Sequence, residues 1–220
     1  MPRTRDYLKE ILSKRTRLAS NTVRMNLAFS RIFKLHHALM FIQKKLPREA
    51  EFRTELLKYF PIGSVACIEG YFRLLYRDLI DYGPPYSDNL IGFKDGIRFS
   101  IESVTAIQGR AISLGEYVSH FLTLNNLEDI NKNTSTIIGE DFLARLKNTS
   151  DEPGGTPILN APVVYRQLNR LFELRHIYCH EVGAIKGVNT NRVKMCLDVT
   201  TLFLIVTEHL AKEMMPQAAT

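Results

Sequence analysis

Apolar residues recur every three to four positions through most of the 220-residue chain, while alternating polar and apolar runs bounded by tight turns are scarce. That spacing is the helical one, so the chain reads as all-α. The first long helix is expected from about Thr22 to Leu46. Met25, Phe29, Ile32, Leu35, Leu39, Ile42 and Leu46 form one stripe, with Arg24, Arg31, Lys34, Lys44 and Lys45 off it. Pro47 ends this helix because proline has no N–H to donate. A short helix is predicted over 48–60, before Pro61. Ser64 then caps a strong helix carrying Val65, Ile68, Phe72, Leu75 and Leu79, and Gly83-Pro84-Pro85 stops it.

Residues 86–98 read as a loop with room for a short irregular or extended piece. Shorter helices are expected over 99–108, 114–124 and 140–147, and the polar stretch Asn131-Lys132-Asn133-Thr134-Ser135-Thr136 reads as an exposed loop. The clearest break is Ser150 to Pro157, which holds two glycines and two prolines. Asn160 can then cap a helix from Ala161 to about Val182, with Pro162 in its first turn and Gly183 closing it. The last helix, about 191–214, carries Val193, Leu197, Phe203, Val206 and Leu210 and, on other sides, Val199, Leu202, Leu204 and Ile205. A helix apolar most of the way round is buried most of the way round, inside the fold or against a second subunit.

At 45% hydrophobic and 24% charged residues, the chain suffices for one core of ordinary size. The expectation is a single domain over 1–220: a basic helical part (1–60), a core helix with an insertion (61–149), and two late helices (160–214). The net charge of +6 is unevenly spread. Residues 1–60 hold 14 Lys or Arg against 5 Asp or Glu, a net +9, and the remainder holds 15 against 18, a net −3. A localised basic arm suits a polyanion, though many ordinary helices are basic. Cys67, Cys179 and Cys196 form no C-x-x-C pair and support neither a disulfide scaffold nor a four-thiolate zinc site, which suggests a reducing compartment. The charged start and the short apolar run Leu202 to Val206 predict neither a secretory leader nor a membrane span, so the expected location is cytoplasmic.

The chemistry concentrates on the helix over 161–182. One stripe holds Val164, Leu168, Leu171, Phe172, Tyr178, Cys179 and Val182, with Arg175 in its middle; a second, wholly polar stripe holds Arg166, Asn169, Glu173, His176 and His180. An arginine among apolar neighbours must find a carboxylate, a phosphate or water, because an unpaired buried charge costs several kcal/mol. The internal candidate is Glu69, beside the apolar stripe of the helix that begins at Ser64. Arg175 and His180 lie about 140° apart on an ideal helix and need not touch within one chain. His176, four residues before His180, shares its face and would orient that imidazole or bind phosphate.

Arg175, four intervening residues and His180, with a polar residue directly after the Arg, resemble the signature of HEPN domains. The segment from Ile68 to Ile80 resembles the earlier core helix of HEPN branches found in prokaryotic defence systems, and the helix over 191–214 fits the one following the motif. The resemblance covers about 62–82 and 160–214. It implies a HEPN-like helical bundle, here with an N-terminal helical extension, forming a homodimer in which two motif helices face one another. It also implies a metal-independent endoribonuclease of a toxin–antitoxin or antiviral defence system, acting on RNA without a cofactor and paired with an antitoxin or other regulatory protein. Arg175 and His180 would be catalytic, and His176 and Glu69 supporting. Histidine titrates near neutrality and can move the protons of the 2′-hydroxyl and the 5′-oxygen, while arginine holds the phosphorane. In toxins of the family controlled by nucleotidylation, a tyrosine stands two positions beyond the motif His; here that position is Val182, and Tyr178 is not its equivalent.

Other readings remain. His176 and His180 stand at zinc-ligand spacing with Glu173 or Glu181 nearby, but no Glu directly follows His176 as in a metalloprotease, and no metal is assigned. His36, His37, His120 and His209 lack partners at meaningful spacing and read as packing or surface residues. Phosphate-binding glycine loops and a nucleophile elbow are missing from the sequence. From other classes come a non-catalytic HEPN module for dimerisation or partner binding, and a basic helical DNA-binding protein resting on residues 1–60 without a helix-turn-helix.

Overall fold

The computed structural model describes residues 6–15, 24–47, 51–93, 97–150, 155–180 and 188–216, and the described chain is all-α. The helices are α1 (Tyr7–Arg15), α2 (Arg24–Lys45), α3 (Glu51–Tyr82), α4 (Ile101–Gln108), α5 (Leu114–Phe121), α6 (Leu127–Ile138), α7 (Phe142–Lys147), α8 (Ala161–His180) and α9 (Thr190–Met214), with a 3₁₀ turn over Asp88–Phe93. None is long and apolar enough to cross a membrane.

The bundle is built around α3, which packs against α2, α5, α6, α8 and α9. Its residues Ile68, Phe72, Leu75, Tyr76 and Leu79 are wholly buried. Phe72 stacks on Phe203 of α9 with ring centres 5.6 Å apart and meets Phe142 of α7 edge-on at 5.8 Å. The same core takes in Leu168, Leu171 and Phe172 of α8. The last helix, α9, is enclosed on most sides within this one chain, so its apolar girth is accounted for by the fold.

Two expectations need correction. The short helix over 48–60 and the one beginning at Ser64 are a single helix of 32 residues that runs through Pro61. An interior proline removes one helical hydrogen bond and crowds the preceding turn, at a cost of about 3 kcal/mol. Apolar burial on both sides offsets it, with Leu57 and Phe60 packed beside Leu39, Ile42, Val193 and Leu197, and Val65 and Ile68 in the main core. Ser64 is therefore no cap; its buried hydroxyl has no hydrogen-bond partner among the described residues.

The stretch Asn131 to Thr136, read as an exposed loop, is the middle of α6. Asn126 caps that helix by accepting from the Asp129 N–H at 2.7 Å, and Gly139 ends it in the left-handed region at φ 78°. Its polar side chains are used internally. Asn133 Nδ2 donates to Thr123 O at 2.6 Å, Thr134 Oγ1 donates to Ile130 O at 2.7 Å and lies 3.0 Å from Tyr76 OH, and the Asn131 and Ser135 oxygens accept the Leu143 and Phe142 N–H groups that open α7. Elsewhere boundaries shift by a few residues, and α1 was not anticipated. Phe29, expected on the buried stripe of α2, is 38% exposed because it stands at the stripe's edge. The expected helix start at Thr22, the residues from Glu181 to Gly183 and part of the Ser150–Pro157 break lie outside the described residues.

Part of the basic character of the first sixty residues is bound up in the fold. Arg24 bridges α2, α3 and α9: Nη1 donates to Asp78 at 2.7 Å and Nε to Glu208 at 2.9 Å, while Tyr71 OH donates to Glu208 at 2.7 Å. Burial opposes the charge on Arg24, but Tyr71, Asp78 and Glu208 outweigh it and hold its pKa above the ordinary value. Removing one partner strands the others in a poorly solvated site. Glu208→Ala is expected to cost about 3 kcal/mol in urea denaturation, whereas Glu55→Ala, which breaks an exposed pair with Lys58, costs under about 1 kcal/mol.

Burial also raises the pKa of Tyr71, Tyr76 and Tyr165, the last to about 12. A group whose pKa is higher in the folded than in the unfolded state contributes stability below its unfolded pKa and loses it as pH rises toward the folded value. The urea midpoint is expected to fall steeply above about pH 10, and Tyr76→Phe to make that fall shallower.

Candidate functional site

The last turns of α8 carry the motif. Leu171, Phe172, Leu174 and Ile177 are buried against the core, and this anchors the helix and sets which face remains outside. That outer face holds His176, Cys179 and His180, all exposed, with Arg175 at the boundary between core and solvent. His176 and His180 stand with ring centres 5.0 Å apart and planes at 48°, as the i, i+4 spacing requires.

Arg175 finds the carboxylate expected for it: Nη2 lies 3.2 Å from Oε1 of Glu69 on α3. Their side chains retain 25% and 27% of their exposure, so the pair sits at the surface rather than in the core. One of the five guanidinium N–H groups is engaged by Glu69, which leaves donors for an oxyanion. Arg175 and His180 make no hydrogen bond to each other among the described residues; Glu69 holds the one and His176 stands beside the other. The intervening Tyr178 packs toward the core, and burial raises its pKa despite the nearby charges of Arg192 and Lys58. Among the described residues no group of three or more His, Cys, Asp or Glu side chains gathers as metal ligands do, so the imidazole pair has no third ligand there. Glu181, considered as such a ligand, and Val182 lie outside the described residues. The cysteines Cys67 and Cys196 are buried thiols, and Cys179 is exposed.

Of the isolated histidines, His120 is the one with a structural task. Its Nε2 lies 3.0 Å from Glu10 Oε2 and its ring meets Tyr7 edge-on, which fastens α1 to α5. His209 pairs with Glu213 at 3.3 Å on α9, and His37 stacks beside Phe33.

One feature escaped the sequence reading. A groove of about 840 Å³ opens between α1, α2, α3 and α5, lined in part by Arg31, Lys34, Gly70, Arg73 and Arg77. Neither Arg175 nor His180 lines it, so Arg31 and Lys34 of α2 border this groove rather than the motif. The signal was present as Arg31 with Lys34 and Arg73 with Arg77 at helical spacing, together with a glycine inside a strong helix. Only tertiary packing shows that the two pairs border one hollow. No protein-family model, curated protein or solved structure matches the chain.

Because the Arg175–Glu69 pair is partly solvated and makes one long hydrogen bond, it contributes little to folding. Glu69→Ala is expected to lower stability by no more than about 1 kcal/mol, read from the urea midpoint, with an unchanged helical circular-dichroism spectrum.

Proposed function

We propose that the protein is a metal-independent endoribonuclease of the HEPN type, acting in a toxin–antitoxin or antiviral defence setting. The observation that carries this is the composition of one exposed helix end: two imidazoles side by side and a guanidinium held at the surface by Glu69. Cleavage of RNA without metal needs a base for the 2′-hydroxyl, an acid for the departing 5′-oxygen and a cation for the phosphorane. His180 takes the proton-transfer role, Arg175 binds the phosphate, and Glu69 keeps the guanidinium from folding back over apolar neighbours. His176 restrains the His180 ring.

One chain supplies a single motif Arg and a single motif His that do not meet. In the proposed homodimer two α8 ends face one another, and His180 of one protomer and its symmetry mate divide the acid and base roles. Exposed apolar residues support association: Phe52, Leu56 and Tyr59 share one exposed stripe of α3. The same exposed residues, with Phe33 and Phe41 on α2, favour the second reading, a HEPN module that binds a partner without chemistry.

Purified protein is expected to cut RNA in the presence of EDTA and to leave 2′,3′-cyclic phosphate ends. Arg175→Ala and His180→Ala should each abolish cutting while the helical spectrum is retained. Because the shared site draws on both copies of His180, mixing the two variants should not restore cutting. Persistent cutting by either variant refutes the catalytic assignment, and a wild-type protein that dimerises but never cuts RNA supports the binding module.

A further inference from the structure

We propose that the groove between α1, α2, α3 and α5 is a binding site for a small phosphomonoester with an apolar or aromatic body. The body would lie over Ala66, Gly70 and Leu74, and the phosphate beside Arg31 and Lys34.

Two of the cations that line the groove are already engaged within the fold. Arg77 is engaged by Asp78, which also takes Arg24, and Arg73 Nη1 donates to the Ser119 carbonyl at 2.7 Å. Two carboxylates border the groove, and both are occupied at the start of α5. Asp81 accepts from Ser113 Oγ at 2.6 Å and from the Gly115 N–H at 2.8 Å, and Glu116 accepts from the Ser113 N–H at 2.8 Å. Arg31 and Lys34 have no counter-ion among the described residues, and their i, i+3 spacing puts them on one face of α2. Two neighbouring cations match the charge of a phosphomonoester, close to −2 at neutral pH. Cys67 in the wall adds no opposing charge, since burial pushes its thiol up to about 11.

Gly70 gives the groove its depth. Glycine inside a helix is destabilising relative to alanine, so its presence calls for a reason. For Gly63 the reason is packing, since a Cβ would press on Leu35 at 3.1 Å; for Gly115 it is the Arg77 carbonyl, 2.4 Å from where a Cβ would stand. At Gly70 a Cβ would meet nothing within 4 Å. What the missing side chain does is deepen the groove, whose floor is otherwise Ala66, Leu74 and Ala28. An apolar floor with a cationic rim selects an amphipathic anion over a bare inorganic one.

The test is calorimetric titration of the full chain with 4-methylumbelliferyl phosphate and its uncharged parent, 4-methylumbelliferone. The ester should saturate one site and bind at least about tenfold more tightly than the parent, and Arg31→Glu or Lys34→Glu should each weaken the ester by about tenfold without affecting the parent. Gly70→Leu should abolish binding of both while the melting temperature shows that the chain still folds. Ester and parent binding alike, undiminished binding by Gly70→Leu, or no saturable binding at millimolar ester would each overturn the proposal. If Gly70→Leu does not fold, the two α2 variants, at exposed positions, decide the matter. None of these residues belongs to the motif, so RNA cutting and ester binding succeed or fail independently.

Discussion

The structure depends on the continuity of α3. Its 32 residues pass through Pro61 without interruption because both halves have apolar partners on several sides. Local chemistry argues for a break, and the free energy of burial overrides it. A break at Pro61 would separate the part of α3 that packs beside Leu39 and Val193 from the part that packs against Phe203 and Phe142. Because the helix stays whole, one rigid axis positions nearly everything else.

Both places where chemistry gathers are attached to that axis at consecutive residues. Glu69 turns toward Arg175 of α8, and Gly70, about 100° further round, opens into the groove beneath α2. The motif end and the groove are thus distinct surfaces of one helix. Charge follows the same division. Arg24, which also borders the groove, is tied into a network with Asp78, Tyr71 and Glu208 that joins α2, α3 and α9, while Arg31 and Lys34, further along α2, line the groove without a counter-ion among the described residues. Of the described cations in the first sixty residues, Arg24 is therefore structural, and Arg31 and Lys34 belong to the groove.

The all-α class, the late helix pair and the polar stripe ending in His180 were legible because each is a matter of helical periodicity, which local sequence records directly. The pairing of Arg175 with Glu69 was legible too: an arginine set in an apolar stripe demands a partner, and few acidic residues stand beside a facing apolar stripe. The misreadings have a common cause. Pro61 and the run Asn131 to Thr136 were judged by local preference, as a breaker and as loop-forming polar residues. Both are decided by partners distant in sequence: Leu39 and Val193 for the first, and Tyr76, Thr123, Phe142 and Leu143 for the second.

By itself, then, the sequence determined which faces of the helices are apolar, where the imidazoles and Arg175 fall on α8, and that the guanidinium needs a counter-charge. Periodicity and the cost of an unpaired charge are enough for that. Only the tertiary structure decided that α3 is one helix, that polar side chains of α6 hold the start of α7, and that two pairs of cations border one groove floored by Gly70. Each of these depends on surfaces brought together from separate elements, and no window of local sequence contains that information.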